Sequence, residues 1–167
     1  MSKYKTIVFD IDGTLLNTDL YICLAFLNLF QKYRKEYMPS LKELLSFSGP
    51  TLEDTFEKYF PNVDKKILFD EYERFSKENL KKYTTLYPDE ISVLDELKKR
   101  YHLAICTSRR KDAAIACLKY FDLLKYFELI ISVDDVSKPK PYPESLLKIL
   151  DFFQNDNDEV IYIGDAY

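Results

Sequence analysis

Four short apolar runs punctuate this chain: Thr6 to Phe9, Leu103 to Cys106, Leu129 to Val133 and Val160 to Ile163. Each is too short for a helix, contains β-branched residues and is apolar at both odd and even positions, as a strand covered on both faces should be. Helical spacings surround the last three runs. Val93, Leu94 and Leu97 precede the second; Ala113, Ala116, Cys117, Tyr120 and Phe121 follow it; Leu146, Leu147 and Leu150 precede the fourth. Strands alternating with helices predict a parallel sheet in an α/β fold.

The stretch between the first and second runs has another character. From Thr18 to about Thr85 no segment reads as a strand, while Leu20, Cys23, Leu24 and Leu27 recur at helical spacing. Pro39-Ser40, Gly49-Pro50 and Pro61-Asn62 mark helix breaks. The expected organisation is a discontinuous core of residues 1–16 and 86–167 with an all-helical insert over 17–85, jointed near Asn17 and Tyr87-Pro88. A length of 167 residues suits one core plus a small insert rather than two large domains.

Charge and cysteine usage narrow the function classes. The net charge is -4, with Lys and Glu interspersed, which argues against nucleic acid as a partner. An anionic small molecule remains compatible, because local cations override the net balance. No apolar stretch approaches the ~20 residues of a membrane span, and the start leads directly into a strand, so neither a membrane segment nor a leader is expected. Cys23, Cys106 and Cys117 are odd in number, form no CxxC pair and lie in apolar segments. They read as buried free thiols in a reducing, cytoplasmic setting.

Ligands of open parallel sheets bind beyond the carboxyl ends of the strands. Asp10-Ile11-Asp12-Gly13-Thr14 follows the first run and Thr107-Ser108-Arg109 the second. Asp134 and Asp135, then Lys138 to Pro143, follow the third, and Asp165 the fourth. Taken singly, Asp12-Gly13 is also a common turn, Thr107-Ser108 also a helix cap, and Lys138 to Pro143 also a solvated loop. Together on one sheet edge they suit phosphoryl transfer. A carboxylate can serve as nucleophile, carboxylates can hold Mg²⁺, and hydroxyls, helix N-termini and a lysine can hold phosphate oxygens.

Val8-Phe9-Asp10-Ile11-Asp12-Gly13-Thr14-Leu15 resembles the DxDGT signature of haloacid dehalogenase superfamily phosphatases. Thr107 matches the Ser/Thr that ends the second strand in that family, Lys140-Pro141-Tyr142-Pro143-Glu144 resembles its lysine motif, and Gly164-Asp165 resembles the start of its acidic fourth motif. The likeness is greatest to the branch of phosphoglycolate phosphatases, small pyrophosphatases and beta-phosphoglucomutases, which carry a helical cap after the first motif. It implies a Rossmann-like core with an inserted cap, and a Mg²⁺-dependent phosphatase acting on a small phosphorylated metabolite through an aspartyl-phosphate. A sugar phosphomutase and a non-catalytic binding relative are the alternatives. A dehalogenase is disfavoured, because such relatives need neither Asp12 nor magnesium.

Carried over residue by residue, the resemblance makes Asp10 the nucleophile and a metal ligand. Asp12 becomes the general acid and base and binds metal through its carbonyl. Thr107 takes the transferring phosphoryl group, Lys140 rather than Lys138 neutralises Asp10 and phosphate, and Asp165 holds the metal. Ser108 and Arg109 are candidates for touching the substrate. Gly49-Pro50-Thr51-Leu52 resembles a cap loop that points at the substrate, and reads equally as a turn starting a helix with Pro50. His102, the only histidine, lies at a strand start and reads as structural. The fourth motif normally carries a second acid four or five positions after the first. That acid and the last strand and helix of the core are expected in a longer natural chain.

Overall fold

The computed structural model describes residues 3–165. The chain divides into two compact units, Met1–Leu16 with Leu86–Tyr167, and Asn17–Thr85. In the first, β1 (Thr6–Phe9), β4 (His102–Cys106), β5 (Leu129–Ile131) and β6 (Val160–Ile163) form a sheet in the order β5-β4-β1-β6. Every pairing is parallel: Val8 lies opposite Ala104 on one side and Tyr162 on the other. Alternate residues serve opposite faces. Val8, Ala104, Cys106 and Ile131 pack with Ile149 of α7 (Glu144–Phe153), while Ile7, Phe9, Leu103 and Ile105 are buried as well. Burial on both faces is the reason β1 and β4 are apolar at alternate and intervening positions alike. Two further helices complete the unit, α5 (Glu90–Lys98) and α6 (Lys111–Tyr120).

The fourfold strand reading matches the sheet, with one shortened end. β5 stops at Ile131 because Ser132 turns the chain: its backbone N–H and hydroxyl both donate to Asp135 Oδ2, at 2.8 and 2.7 Å. The helical stripes differ more. Of the expected positions Cys23, Leu94 and Cys117 are buried, whereas Leu20, Val93, Tyr120 and Leu147 are about half exposed, and the buried faces take in Ile22, Phe26, Leu29 and Phe30 of α1 (Asp19–Tyr33), Ala114 and Leu118 of α6, and Ser145 and Ile149 of α7. Several apolar side chains flank each true stripe, and spacing alone does not choose among overlapping sets. All three cysteines are buried free thiols.

The second unit holds four helices, α1, α2 (Leu41–Leu45), α3 (Leu52–Tyr59) and α4 (Lys65–Tyr83). Their starts have local causes. Ser40 and Glu43 form a reciprocal capping box at α2, Thr51 Oγ1 accepts the Asp54 N–H at α3, and Asp64 accepts the Lys66 N–H at α4. Pro50 therefore precedes the α3 cap rather than opening the helix. The core of this unit is aromatic: Phe26, Phe30, Phe47, Phe56 and Phe60 are buried against one another, with Phe26–Phe47 and Phe30–Phe60 centroids 4.4 and 4.7 Å apart. Two-residue strands escape the sequence reading: β2 (Leu16–Asn17) and β3 (Thr85–Leu86) pair where the chain passes from one unit to the other. Among the described residues no helix is long and apolar enough to cross a membrane.

Two predictions follow from burial. Phe56 is fully enclosed among aromatic rings, so Phe56→Ala should cost about 3–5 kcal/mol, read by urea denaturation; a loss below 1 kcal/mol contradicts this core. Glu90, half-buried at the start of α5, accepts the Tyr87 N–H at 3.2 Å through Oε2, while its Oε1 is buried with no hydrogen-bond partner. Burial pushes its carboxyl from 4.5 to about 7. The folded state thus holds a proton that the unfolded chain gives up. The stability from this group is complete below pH 4.5 and is lost as pH rises through 7. Glu90→Gln should flatten the stability–pH curve over that window; an unchanged curve contradicts the buried carboxyl.

Candidate active site

Parallel strands end together, so the loops after β1, β4 and β6 share one edge of the sheet. Asp10, immediately after β1, is 3% exposed. Its backbone N–H donates to Ile163 O at 2.9 Å, which fixes the start of the loop against the end of β6. Its Oδ1 accepts the Ile11 N–H at 2.7 Å, and Oδ2 is ion-paired with Lys140 Nζ. Lys140, 130 residues away in sequence, also lies 3.3 Å from the Tyr162 hydroxyl and 3.5 Å from Cys106 O. The same hydroxyl is 3.4 Å from Asp10 Oδ2.

This cluster has consistent electrostatics. Burial pushes the Asp10 carboxyl above its usual range and nearby Asp12 adds to the rise, while Lys140 and the Ile11 N–H oppose it. Burial acts to lower Lys140, but the charge and hydrogen bond of Asp10 more than offset it, so the ammonium is held above its usual range. Tyr162 is pushed up to about 12, first by burial and then by the Asp10 charge. It therefore stays a neutral hydroxyl. Lys138 points elsewhere, with its ammonium 5.5 Å from the Tyr142 ring centre. The lysine loop is held in shape by Glu144, whose carboxylate accepts the Ser137 and Lys138 backbone N–H groups.

Asp12 sits two residues beyond Asp10, and Arg109 grips it with a two-pronged pair: Nε to Oδ2 at 2.7 Å and Nη2 to Oδ1 at 2.6 Å. Gly13 follows with φ +69. A β-carbon there would lie 2.0 Å from Asp165 Oδ2, so the Asp165 carboxylate rests on the bare α-carbon of Gly13. Tyr87 secures the loop from another side, donating its hydroxyl to Gly13 O at 3.1 Å. Thr107 is buried after β4, donates its N–H to Ile131 O at 3.0 Å and accepts the Arg109 N–H at 3.2 Å through Oγ1. The Ser108 hydroxyl beside it is buried with no hydrogen-bond partner.

Not every residue singled out belongs to this cluster. Asp134 accepts the Lys111 N–H and Asp135 pairs with Lys111 Nζ, so both brace the chain around the start of α6. His102 opens β4 beside Glu128 and stacks on Phe153, at the other end of the strand. Tyr162 and the Arg109–Asp12 pair escape a linear reading. The sole hint for Tyr162 is a polar group in an otherwise apolar strand, and for Arg109 its place two residues after Thr107.

Metal donors are present on the same edge. Among the described residues no cluster of three or more His, Cys, Asp or Glu side chains could hold a metal. The donors that the resemblance implies, the carboxylates of Asp10 and Asp165 and the main-chain carbonyl of Asp12, lie in the loops after β1 and β6. A few protein oxygens with water completing the shell is what Mg²⁺ commonly takes, and the cradle that Gly13 leaves for Asp165 brings that carboxylate to the Asp10–Gly13 loop.

The α/β sheet thus carries a buried carboxylate–lysine pair at its carboxyl edge. The comparisons give the family. The family model for haloacid dehalogenase-like hydrolases matches residues 7–167. A pyrophosphatase PpaX from Bacillus cereus is 32% identical over 167 residues, covering 99% of this chain and 76% of that protein. A haloacid dehalogenase-like family hydrolase from Streptococcus pneumoniae superposes with a TM-score of 0.82 at 25% identity, covering 99% of this chain and 77% of that one. A candidate beta-phosphoglucomutase from Thermotoga maritima does so with 0.66 at 26%, covering 95% and 74%. This chain belongs to the haloacid dehalogenase-like hydrolase family, and with it to the phosphatase-type hydrolases.

The Gly13 position yields a direct test. Gly13→Ala meets both a positive φ and the Asp165 carboxylate. It should destabilise the protein by at least 1–2 kcal/mol, the approximate cost of a left-handed conformation alone, in chemical denaturation. Wild-type stability in this variant would rule out the tight Gly13–Asp165 approach.

Proposed function

We propose that this protein is a Mg²⁺-dependent phosphatase of a small phosphorylated metabolite, with residues 17–85 as its cap and Asp10 as its nucleophile. The observation that carries the reading is the buried Asp10–Lys140 pair at the end of β1. An anion this buried is held by a cation from a distant loop, which suits a group that must be both ionised and aimed.

In the first step an Asp10 carboxylate oxygen attacks phosphorus and the bond to the leaving oxygen breaks. Asp12 gives that oxygen a proton. In the second step water attacks the aspartyl-phosphate, Asp12 takes the proton of the water, the bond to Asp10 breaks and inorganic phosphate leaves. Lys140 offsets charge on Asp10 and the phosphoryl group. Thr107 and Ser108 hold phosphoryl oxygens; the Ser108 hydroxyl has no protein partner to give up. Asp10, the Asp12 carbonyl and Asp165 would hold Mg²⁺, which offsets repulsion between two anions. Tyr162 positions Lys140 against Asp10 through contacts of 3.3 and 3.4 Å. The name of the Bacillus relative adds inorganic diphosphate to the candidate substrates.

The test is phosphate release from an aryl phosphate, inorganic diphosphate and a panel of phosphorylated metabolites, with and without Mg²⁺. Release should require Mg²⁺ and fall at least ~10³-fold in Asp10→Asn, as expected for loss of a nucleophile. Release that persists in that variant rejects Asp10 as nucleophile.

A further inference from the structure

We infer that Arg109 is a specificity-determining residue that exchanges partners: it leaves the Asp12 carboxylate that it grips in this structure for the second anionic group of a substrate that carries one. The inference rests on the phosphatase reading and adds a substrate class to it, phosphorylated molecules with a second phosphate or a carboxylate.

Both side chains of the pair are enclosed, at 14% and 15% exposure. The pair bridges neighbouring strands, with Asp12 in the loop after β1 and Arg109 in the loop after β4. The backbone of Arg109 is fixed at both ends, its N–H on Thr107 Oγ1 and its carbonyl accepting the Val133 N–H at 3.2 Å. Only the side chain is left to move. A guanidinium stays charged, so it always needs an anion, and its planar fork fits a phosphate or another carboxylate as well as it fits Asp12. Two other cations of these loops are committed. Lys140 serves Asp10, and Lys111 is held by Ile130 O at 2.7 Å and by Asp135.

The present grip also conflicts with the work assigned to Asp12. Both of its carboxylate oxygens accept from Arg109, whereas proton transfer needs one of them facing the leaving oxygen. A second substrate anion resolves the conflict by taking the guanidinium and releasing Asp12. A substrate with a single anionic group offers Arg109 nothing in exchange. Only hydrogen bonds change partners, and no covalent bond is involved.

The experiment compares phenyl phosphate, with one anionic group, against inorganic diphosphate, whose second group is a phosphate, and phosphoglycolate, whose second group is a carboxylate. Wild-type protein should prefer the two-anion compounds, and Arg109→Gln should cut that preference ~10–100-fold, the value of one or two charge-assisted hydrogen bonds, with part of the loss in kcat. Arg109→Lys should restore only a fraction, because it returns the charge without the fork. Whichever two-anion compound loses more identifies the group that Arg109 reads. Equal losses for all three compounds would make Arg109 a brace of the loop and overturn the inference, as would an unchanged preference. A second arm needs no turnover: calorimetry of inorganic diphosphate and inorganic phosphate binding to Asp10→Asn with Mg²⁺. Diphosphate should bind more tightly, and adding Arg109→Gln should remove the difference. Should no compound be hydrolysed, this arm still decides the role of Arg109, while the missing turnover counts against the phosphatase reading alone. Thermal melting of each variant separates lost recognition from lost folding.

Discussion

A carboxylate that is 3% exposed must be compensated where it stands, and the carboxyl edge of the sheet is arranged around that requirement at Asp10. Water cannot solvate the anion, so the protein supplies an ammonium, a backbone N–H and a neutral hydroxyl. The ammonium comes from Lys140, on a loop whose own backbone donors are gathered by Glu144. The hydroxyl comes from Tyr162, which reaches the site because β6 runs parallel beside β1 in a fixed register. Residues spread over most of the chain are thus bound to one buried charge.

The parallel sheet makes such convergence possible. Parallel strands all end in the same direction, so each crossover delivers another loop to the same edge. β1 brings Asp10 and Asp12, β4 brings Thr107, Ser108 and Arg109, and β6 brings Asp165. The result is two ion pairs between loops distant in sequence, Lys140 with Asp10 and Arg109 with Asp12. They differ in chemistry. Lysine presents a compact point charge suited to offsetting a neighbour, while arginine presents a directional fork that any planar anion can occupy. One pair suits a fixed arrangement and the other an exchangeable one.

Residues 17–85 obey a separate logic. Their core consists mostly of Phe and Tyr rings meeting edge to face or tilted, the geometry that ring quadrupoles favour. Large rigid rings bury much apolar area per residue, which lets a short segment build its own core. β2 and β3 pair where the chain enters and leaves this segment, giving the two passages a hydrogen-bonded anchor.

What the sequence determined by itself was everything written in neighbouring residues. The Asp10-to-Thr14 motif follows a β-branched run, the four strands are short and apolar on both parities, and the likeness of Lys140-Pro141-Tyr142-Pro143-Glu144 to the family's lysine motif distinguishes Lys140 from Lys138 two positions earlier. Short-range chemistry fixes such features: strand propensity, proline and glycine breaks, and the spacing of a motif. The tertiary structure alone decided which of several apolar positions on each helix faced inward, because overlapping stripes such as Leu20-Leu24 and Ile22-Phe26 share a period and differ only in what packs on them. It alone decided that Leu16–Asn17 would pair with Thr85–Leu86, since two residues carry no periodic signal. It also decided that Arg109 would close on Asp12 across 97 residues of chain, because an ion pair between distant loops is set by where two strands end, and spacing along the chain does not encode that position.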